Sequence, residues 1–366
     1  MITCPVCGFE DIEHLGKRSD HSSISGYSAY VANIWDYDCD IVKCGVCGVQ
    51  FIHPMYDASL LAGLYNHEDY LRFASASAGL NLAKNDLTPG ELNWVKSKFA
   101  SLGLASWRED FVSENSRLPR FLDVGCGSGI HLLAFKEMGF RVTGIDLSKE
   151  FVHRVKTVHG IEAWQTTVEE FTPNDKFDCV LASHLIEHTA SPKSFFKAIP
   201  KLLAPGGLLI LETPVAEDSG QTHERYRDIY HTLFFDHFSL FLLAAFHGMK
   251  VVQYRNFMSR RSWDGDYHFY LAASFRRDEK LSKISWSRSA IQTMRAAFDG
   301  TYHDFLQLGR HYLDYVDWRY PMRNEDQLIW LVHKGLVHLR RVGVIETAKR
   351  ALAYMTKRGR KTRRTT

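Results

Sequence analysis

Proline is scarce in this 366-residue chain, ten in all, and no apolar stretch nears the roughly 18 residues a bilayer-spanning helix needs. No charged-then-apolar leader opens the sequence. A soluble, cytoplasmic protein is the expectation. Charge of one sign is missing too: 45 Lys+Arg against 42 Asp+Glu leave a formal +3 at pH 7, too little to imply a polyanionic partner. Two nucleotide signatures are absent. A G-x-G-x-x-G fingerprint begun at Gly125 and Gly127 needs glycine where Ile130 stands; begun at Gly127 and Gly129, it needs glycine where Leu132 stands. No G-K-[ST] follows, so a P-loop is excluded. No internal repeat is visible.

What is present suits a globular chain of two or three domains, 45% hydrophobic and 24% charged. From residue 119 strand-like and helix-like segments alternate: RFLDVG, IHLLAFKEMG, RVTGIDLS, KEFVHRVKTVHG, FDCVLASH, SPKSFFKAIPKLLAPGG, LLILETP. That rhythm predicts a parallel sheet with helices on both faces. Residues 215–236 lose the period and suit a substrate-covering loop. HFSLFLLAAFHG predicts a helix, and MKVVQYRNF with YHFYLAASF a closing hairpin. Helix-like pieces also precede the alternation, in SLLAGLYNHEDYL and ELNWVKSKFASLGL, and fill residues 281–355. The chain closes on KRGRKTRRTT, six basic residues in ten, expected to be a solvated end that could touch an anionic membrane surface weakly.

A strand that runs into a glycine-rich turn and then a helix N-terminus is a general cradle for anionic or polar cofactor groups. Here the turn is D-V-G-C-G-S-G, Asp123 to Gly129. It resembles motif I of the class I S-adenosylmethionine (SAM)-dependent methyltransferases, and the likeness continues in order over about residues 115–275. The resemblance implies that Asp123, Gly125, Cys126, Gly127 and Gly129 border the cofactor. Asp146, ending VTGIDLS beside Leu147, would accept both ribose hydroxyls. Thr167 and Val168 would meet the adenine amine, although many relatives carry Asp where Thr167 stands, and Ser183 closes the set after the fourth strand. A carboxylate suits two adjacent hydroxyls because it offers two acceptor oxygens. Asp146 could also cap the following helix, and Cys126 reads as a small packing residue.

Seven cysteines include two C-x-x-C pairs, CPVC at 4–7 and CGVC at 44–47. In a reducing compartment such pairs point to metal, and Cys4, Cys7, Cys44 and Cys47 would close a tetrahedral, structural Zn²⁺ site with no open position. Cys39 stands outside that set. A four-cysteine knuckle ahead of a class I core resembles the branch that includes C-methyltransferases of nucleotide-linked deoxysugars and related glycan and secondary-metabolite enzymes. Those sugar enzymes carry Tyr-His-Glu-His-Phe-Ser after the fifth strand. In FFDHFSLF the residues His237, Phe238 and Ser239 match, Asp236 replaces Glu, and Phe234 and Phe235 replace Tyr and His. The second α/β unit of the sugar enzymes is not evident in the last 90 residues.

The resemblance implies His237 as the base, and His184 and His188 in SHLIEH are further candidates at the edge where such sheets bind ligands. His223, Tyr226 and His231, in the covering loop, are candidate substrate contacts. The expected architecture is α/β: a Rossmann-like SAM methyltransferase core with a seven-stranded, mostly parallel sheet, a small N-terminal zinc domain and a C-terminal helical extension. Its divisions are 1–55 zinc knuckle, 56–110 helical linker or lid, 111–276 core and 277–366 helical extension with basic tail. The expected activity is methyl transfer from SAM to a small molecule, leaning to a sugar or polysaccharide precursor. An RNA methyltransferase and a non-catalytic SAM-binding module are the alternatives. Against nucleic acid stand the balanced charge and the absence of an N-P-P-Y-type tetrad, where ASHL (182–185) lies instead.

Overall fold

The computed structural model describes residues 1–17, 39–66, 89–215, 231–260, 267–281, 284 and 286–296. The aromatic insertion between the cysteine pairs, His223 and Tyr226, and the expected helices and basic tail beyond 296 lie outside these residues.

Three strands open the chain, β1 (Ile12–Lys17), β2 (Asp40–Cys44) and β3 (Gln50–His53), followed by α1 (Ala58–Asn66), α2 (Pro89–Ala100) and α3 (Leu104–Asn115). The alternating region then runs β4 (Arg120–Val124), α4 (Ile130–Glu137), β5 (Arg141–Asp146), α5 (Lys149–Thr157), β6 (Glu162–Gln165), β7 (Phe177–Ser183), a 3₁₀ turn (Ile186–His188), α6 (Pro192–Leu202) and β8 (Leu203–Pro214). The short β9 (Leu233–Phe234), α7 (His237–Phe246) and the hairpin β10 (Met249–Arg260) and β11 (Tyr267–Arg277) complete it. A further helix covers residues 288–296.

The helix starts follow from local chemistry. Ser148 caps α5 by accepting the Phe151 N–H, and Ser191 caps α6 ahead of Pro192. Asp236 and Ser239 bond each other's backbone N–H in a capping box that starts α7.

The seven-stranded sheet has the order β10-β11-β8-β7-β4-β5-β6. The five strands from β8 to β6 are parallel, and β11 and β10 join them antiparallel. The order reverses between β7 and β4, so the carboxyl ends of those two strands flank a switch-point crevice. Strand alternation divides the core into two layers. Phe121, Cys179, Leu181 and Ile210 face Phe99, Leu132 and Phe135 on one side. Leu122, Val124, Val180 and Leu211 face Phe196, Phe235 and Leu243 on the other. Val6, Val42, Cys44 and Phe51 of the amino-terminal segment belong to that second layer.

The first strands form their own antiparallel sheet, β1-β2-β3-β9. Its last member comes from far along the chain: Gln50 pairs with Phe234 and Phe51 with Leu233. No described helix is long and apolar enough to cross a membrane.

Candidate functional site

The glycine turn leaves β4 at the switch point. Its first half is pinned to the neighbouring strand, because the Gly125 and Cys126 N–H groups both donate to the Ile145 carbonyl, at 2.8 and 3.0 Å. The Cys126 side chain packs against Gly144 and is buried, the packing role expected of it. Gly125 and Gly129 adopt positive φ in tight surroundings, where a Cβ would come within 2.9 Å of Leu185 and 3.0 Å of His159 respectively. Gly127 differs: at φ +48° a Cβ would meet nothing within 4 Å, so the main chain is open to a ligand there.

Asp146 ends β5 beside this opening. One carboxylate oxygen accepts the Gly127 N–H at 2.9 Å and the other the Ser148 N–H at 2.8 Å. Burial raises its pKa against these backbone donors. Each oxygen keeps a lone pair for a further donor. Leu147 follows, its carbonyl accepting the Gln165 side chain at 3.1 Å. The Thr167 hydroxyl accepts the Glu170 N–H at 3.2 Å, and Val168 is buried beside it.

Asp123 lies beneath the turn, fully buried, and neither carboxyl oxygen has a hydrogen-bond partner among the described residues. Burial first, then the charges of Asp146 and Glu212, push its pKa well above the ordinary value, which holds the carboxyl toward its protonated form. His131 Nδ1 stands 3.8 Å from it. Burial, with Lys98 nearby, lowers His131 to about 3, so its ring stays neutral.

A neutral buried histidine has a signature in stability. Below pH 6.5 the unfolded chain takes a proton that the folded chain refuses until about pH 3, so this group's contribution is lost as the pH falls. His131→Phe, which keeps the ring against Phe99, is expected to remove about 1.4 kcal/mol per pH unit of slope below pH 6. Urea unfolding of both proteins at several pH values would check it, and parallel pH profiles would contradict it.

Two residues not singled out from sequence complete the floor. Lys98 of α2 reaches Glu212 of β8 with both oxygens at 2.7 and 2.8 Å, and both side chains are about 2% exposed or less. Burial lowers the lysine against the pull of Glu212. Burial also pushes Glu212 up, but Lys98 first and then His184 outweigh it and the net shift is downward. Ser183 donates to Glu212 at 2.9 Å and so sits within this network. A glutamate inside the apolar run LLILETP was the available signal; Lys98 had none.

His184 follows directly. Its φ of +49° is left-handed and its N–H is fixed on the Glu212 carbonyl at 2.7 Å. Its ring, 45% exposed, turns Nδ1 to Glu187 at 3.4 Å and Nε2 to Glu212 at 3.9 Å. Burial opposes protonation, but Glu187 and Glu212 outweigh it and raise the pKa. His188 Nε2 lies 3.8 Å from the same Glu187 oxygen. Burial pushes Glu187 up, yet His184, then His188 and His231, bring it down to about 2. The structure thus gathers His184 and His188 on one carboxylate. His237 stands elsewhere: it is 1% exposed, with Nε2 against Asn256 Oδ1 at 2.7 Å and its ring edge to Phe241 and Tyr254.

The cysteine pairs converge. Cys4 Sγ is 3.7 Å from Cys47 Sγ, and Cys7 Sγ 3.4 Å from Cys44 Sγ. Four sulfurs about 2.3 Å from one zinc would lie about 3.8 Å apart. Backbone N–H groups of Val6 and Cys7 point at Cys4 Sγ and that of Val46 at Cys44 Sγ, each at 3.4 Å, which suits thiolates. Arg295 donates to the Cys47 carbonyl at 3.0 Å and also bonds Asp236, so the helix over 288–296 clasps the knuckle to the start of α7.

Comparison with known proteins places this geometry. Residues 97–253 match the family model of a methyltransferase domain. The ubiquinone biosynthesis O-methyltransferase of Bradyrhizobium sp. (strain ORS 278) is 35% identical over 99 residues, 26% of this chain and 39% of that protein. Its counterpart from Xanthomonas campestris pv. campestris (strain B100) is 36% identical over 116 residues, 29% of this chain and 48% of that protein. The chain therefore spans less than half the length of these curated relatives. A crystal structure of Burkholderia thailandensis 1,6-didemethyltoxoflavin-N1-methyltransferase, with that substrate and S-adenosylhomocysteine bound, is 18% identical, covers 67% of this chain and 97% of its own, and has a TM-score of 0.44. The fold is a Rossmann-like methyltransferase fold with a mostly parallel seven-stranded sheet.

Proposed function

We propose that the chain transfers a methyl group from SAM to a small-molecule acceptor, with a sugar or glycan precursor the first class to test, and that its four-cysteine knuckle holds a structural zinc. One observation carries the reading: the open main chain at Gly127 lies beside a carboxylate at the end of the next strand, within a matched methyltransferase domain. SAM would supply the electrophilic methyl group; the protein's part is to orient both partners and accept a proton. Asp146 would hold the ribose hydroxyls, the Gly125–Gly129 turn would border the amino-acid portion, and Thr167, Val168 and Leu147 would border the adenine. The buried oxygens of Asp123 have no donor among the described residues, and the methionine ammonium would provide one.

His184 is the base in this reading. It is accessible, its Nδ1 faces Glu187, and Nε2 is the nitrogen that would take the acceptor's proton. His237, put forward by the sugar-enzyme resemblance, is buried with a ring nitrogen engaged by Asn256, and its part here is to brace α7 against β10. His184→Asn keeps a residue that tolerates left-handed backbone. It is expected to lower turnover about 10²- to 10⁴-fold with S-adenosylhomocysteine affinity unchanged, and full activity would remove His184 as base. Calorimetry with S-adenosylhomocysteine and NAD⁺ tests the whole reading: binding of the first alone is expected, and binding of neither or of NAD⁺ overturns it. A panel of sugar nucleotides, phenols and RNA would then separate acceptor classes, while tight cofactor binding without turnover on any would favour a binding module.

A further inference from the structure

Glu187 presents an unusual oxygen. The residue is 1% exposed, and Oε2 accepts the Thr213 hydroxyl at 2.9 Å. Oε1 has no hydrogen-bond partner among the described residues. A buried carboxylate oxygen held by no ordinary hydrogen bond is uncommon in proteins. What surrounds it is imidazole: His184 Nδ1 at 3.4 Å, His188 Nε2 at 3.8 Å, and His231, whose ring centroid is 4.6 Å from that of His188. One donor atom each from Glu187, His188 and His231 lies within 4.8 Å of the other two.

The backbone around this cluster is fixed. Thr232, next to His231, donates its N–H to the Glu187 carbonyl at 2.9 Å. Its hydroxyl reaches the Glu187 and Thr189 carbonyls at 3.1 and 3.0 Å. His231 is thus stapled to the turn that carries Glu187 and His188. Ligands about 2.1 Å from one ion lie about 3.0–3.4 Å apart, so modest ring rotations would close the set.

We propose that Glu187, His188 and His231 form a second metal site, separate from the four cysteines, for a divalent first-row transition cation. Two imidazoles and one carboxylate make a borderline-hard set that leaves coordination positions open, unlike the closed thiolate site. Thr213 fixes the carboxylate as an outer partner does in such sites. Oε1 has two lone pairs, so it can ligate the ion and still face His184. The open positions would accept water or an oxygen of the acceptor; that last role rests on the methyl-transfer reading, whereas the site itself does not.

Mn²⁺ tests this, since it favours nitrogen and oxygen over thiolate. The 366-residue chain, purified without chelator, would be titrated with Mn²⁺ while the aqueous Mn²⁺ signal is followed by electron paramagnetic resonance. One ion bound per chain is expected. Glu187→Gln and His231→Ala should each weaken binding by about 10- to 100-fold or more, and His14→Ala, on the distant β1, should not. Substoichiometric Mn²⁺ binding, or binding undiminished in both variants, overturns the site and leaves a purely hydrogen-bonded histidine–carboxylate cluster. S-adenosylhomocysteine calorimetry on the same samples confirms that the variants fold. It also keeps the two readings apart: cofactor binding without Mn²⁺ defeats the metal site alone, and Mn²⁺ binding without the cofactor defeats methyl transfer alone.

Discussion

Cys47→Ala is expected to purify without metal and largely unfolded, and the unaltered chain is expected to carry one zinc in the proposed cysteine site. The size of the effect follows from two features. Apparent binding energies of structural zinc sites are about 10–16 kcal/mol, comparable to the whole 5–15 kcal/mol stability of an ordinary domain. The knuckle also shares its apolar layer with the large sheet: Cys4, Cys44 and Cys47 pack in the same cluster as Leu122, Val180 and Leu211. Loss of the ion would therefore loosen the support of β4, β7 and β8 as well as the first sheet. Elemental analysis of protein purified without chelator, with urea unfolding of both forms, checks this. Should the variant prove insoluble, a chelating dye added to the unaltered protein reads the released zinc directly. Zinc-free unaltered protein would defeat the assignment.

The second large effect belongs to Asp146. If Asp146 holds the ribose as proposed, its replacement by alanine would remove two charge-assisted hydrogen bonds, worth about 1.5–3 kcal/mol each. The expected loss in S-adenosylhomocysteine affinity is therefore about 10²- to 10⁴-fold. Part of it would come through the protein itself, because Asp146 also holds the Gly127 and Ser148 N–H groups in place. Asp146→Asn, which retains an acceptor, should lose less. Calorimetry on both variants measures this, and an unchanged alanine variant would show that the ribose is bound elsewhere.

The parallel sheet was legible because each of its units is local. An apolar strand, a glycine turn and an amphipathic helix lie within 30 residues, so period and punctuation announce them together. The glycine turn and Asp146 were legible for the same reason. The rest depends on distance along the chain. Lys98 and Glu212 meet across 114 residues, and nothing in KSKF marks that lysine as buried. β9 is two residues long, too short for any period, and exists only because Gln50 and Phe51 offer it an edge. His184, His188 and His237 look alike as letters; only packing separates two that share Glu187 from one bound to Asn256.

The pairing of β3 with β9 sets a clock on synthesis. Leu233 follows its partner Phe51 by 182 residues, so at about 5–20 residues per second the ribosome needs roughly 10–40 s to deliver the closing strand. Over that interval Phe51 and its apolar neighbours lack the surface they will finally rest on. All four knuckle cysteines have emerged by then, and early capture of an ion would give the nascent segment shape while it waits.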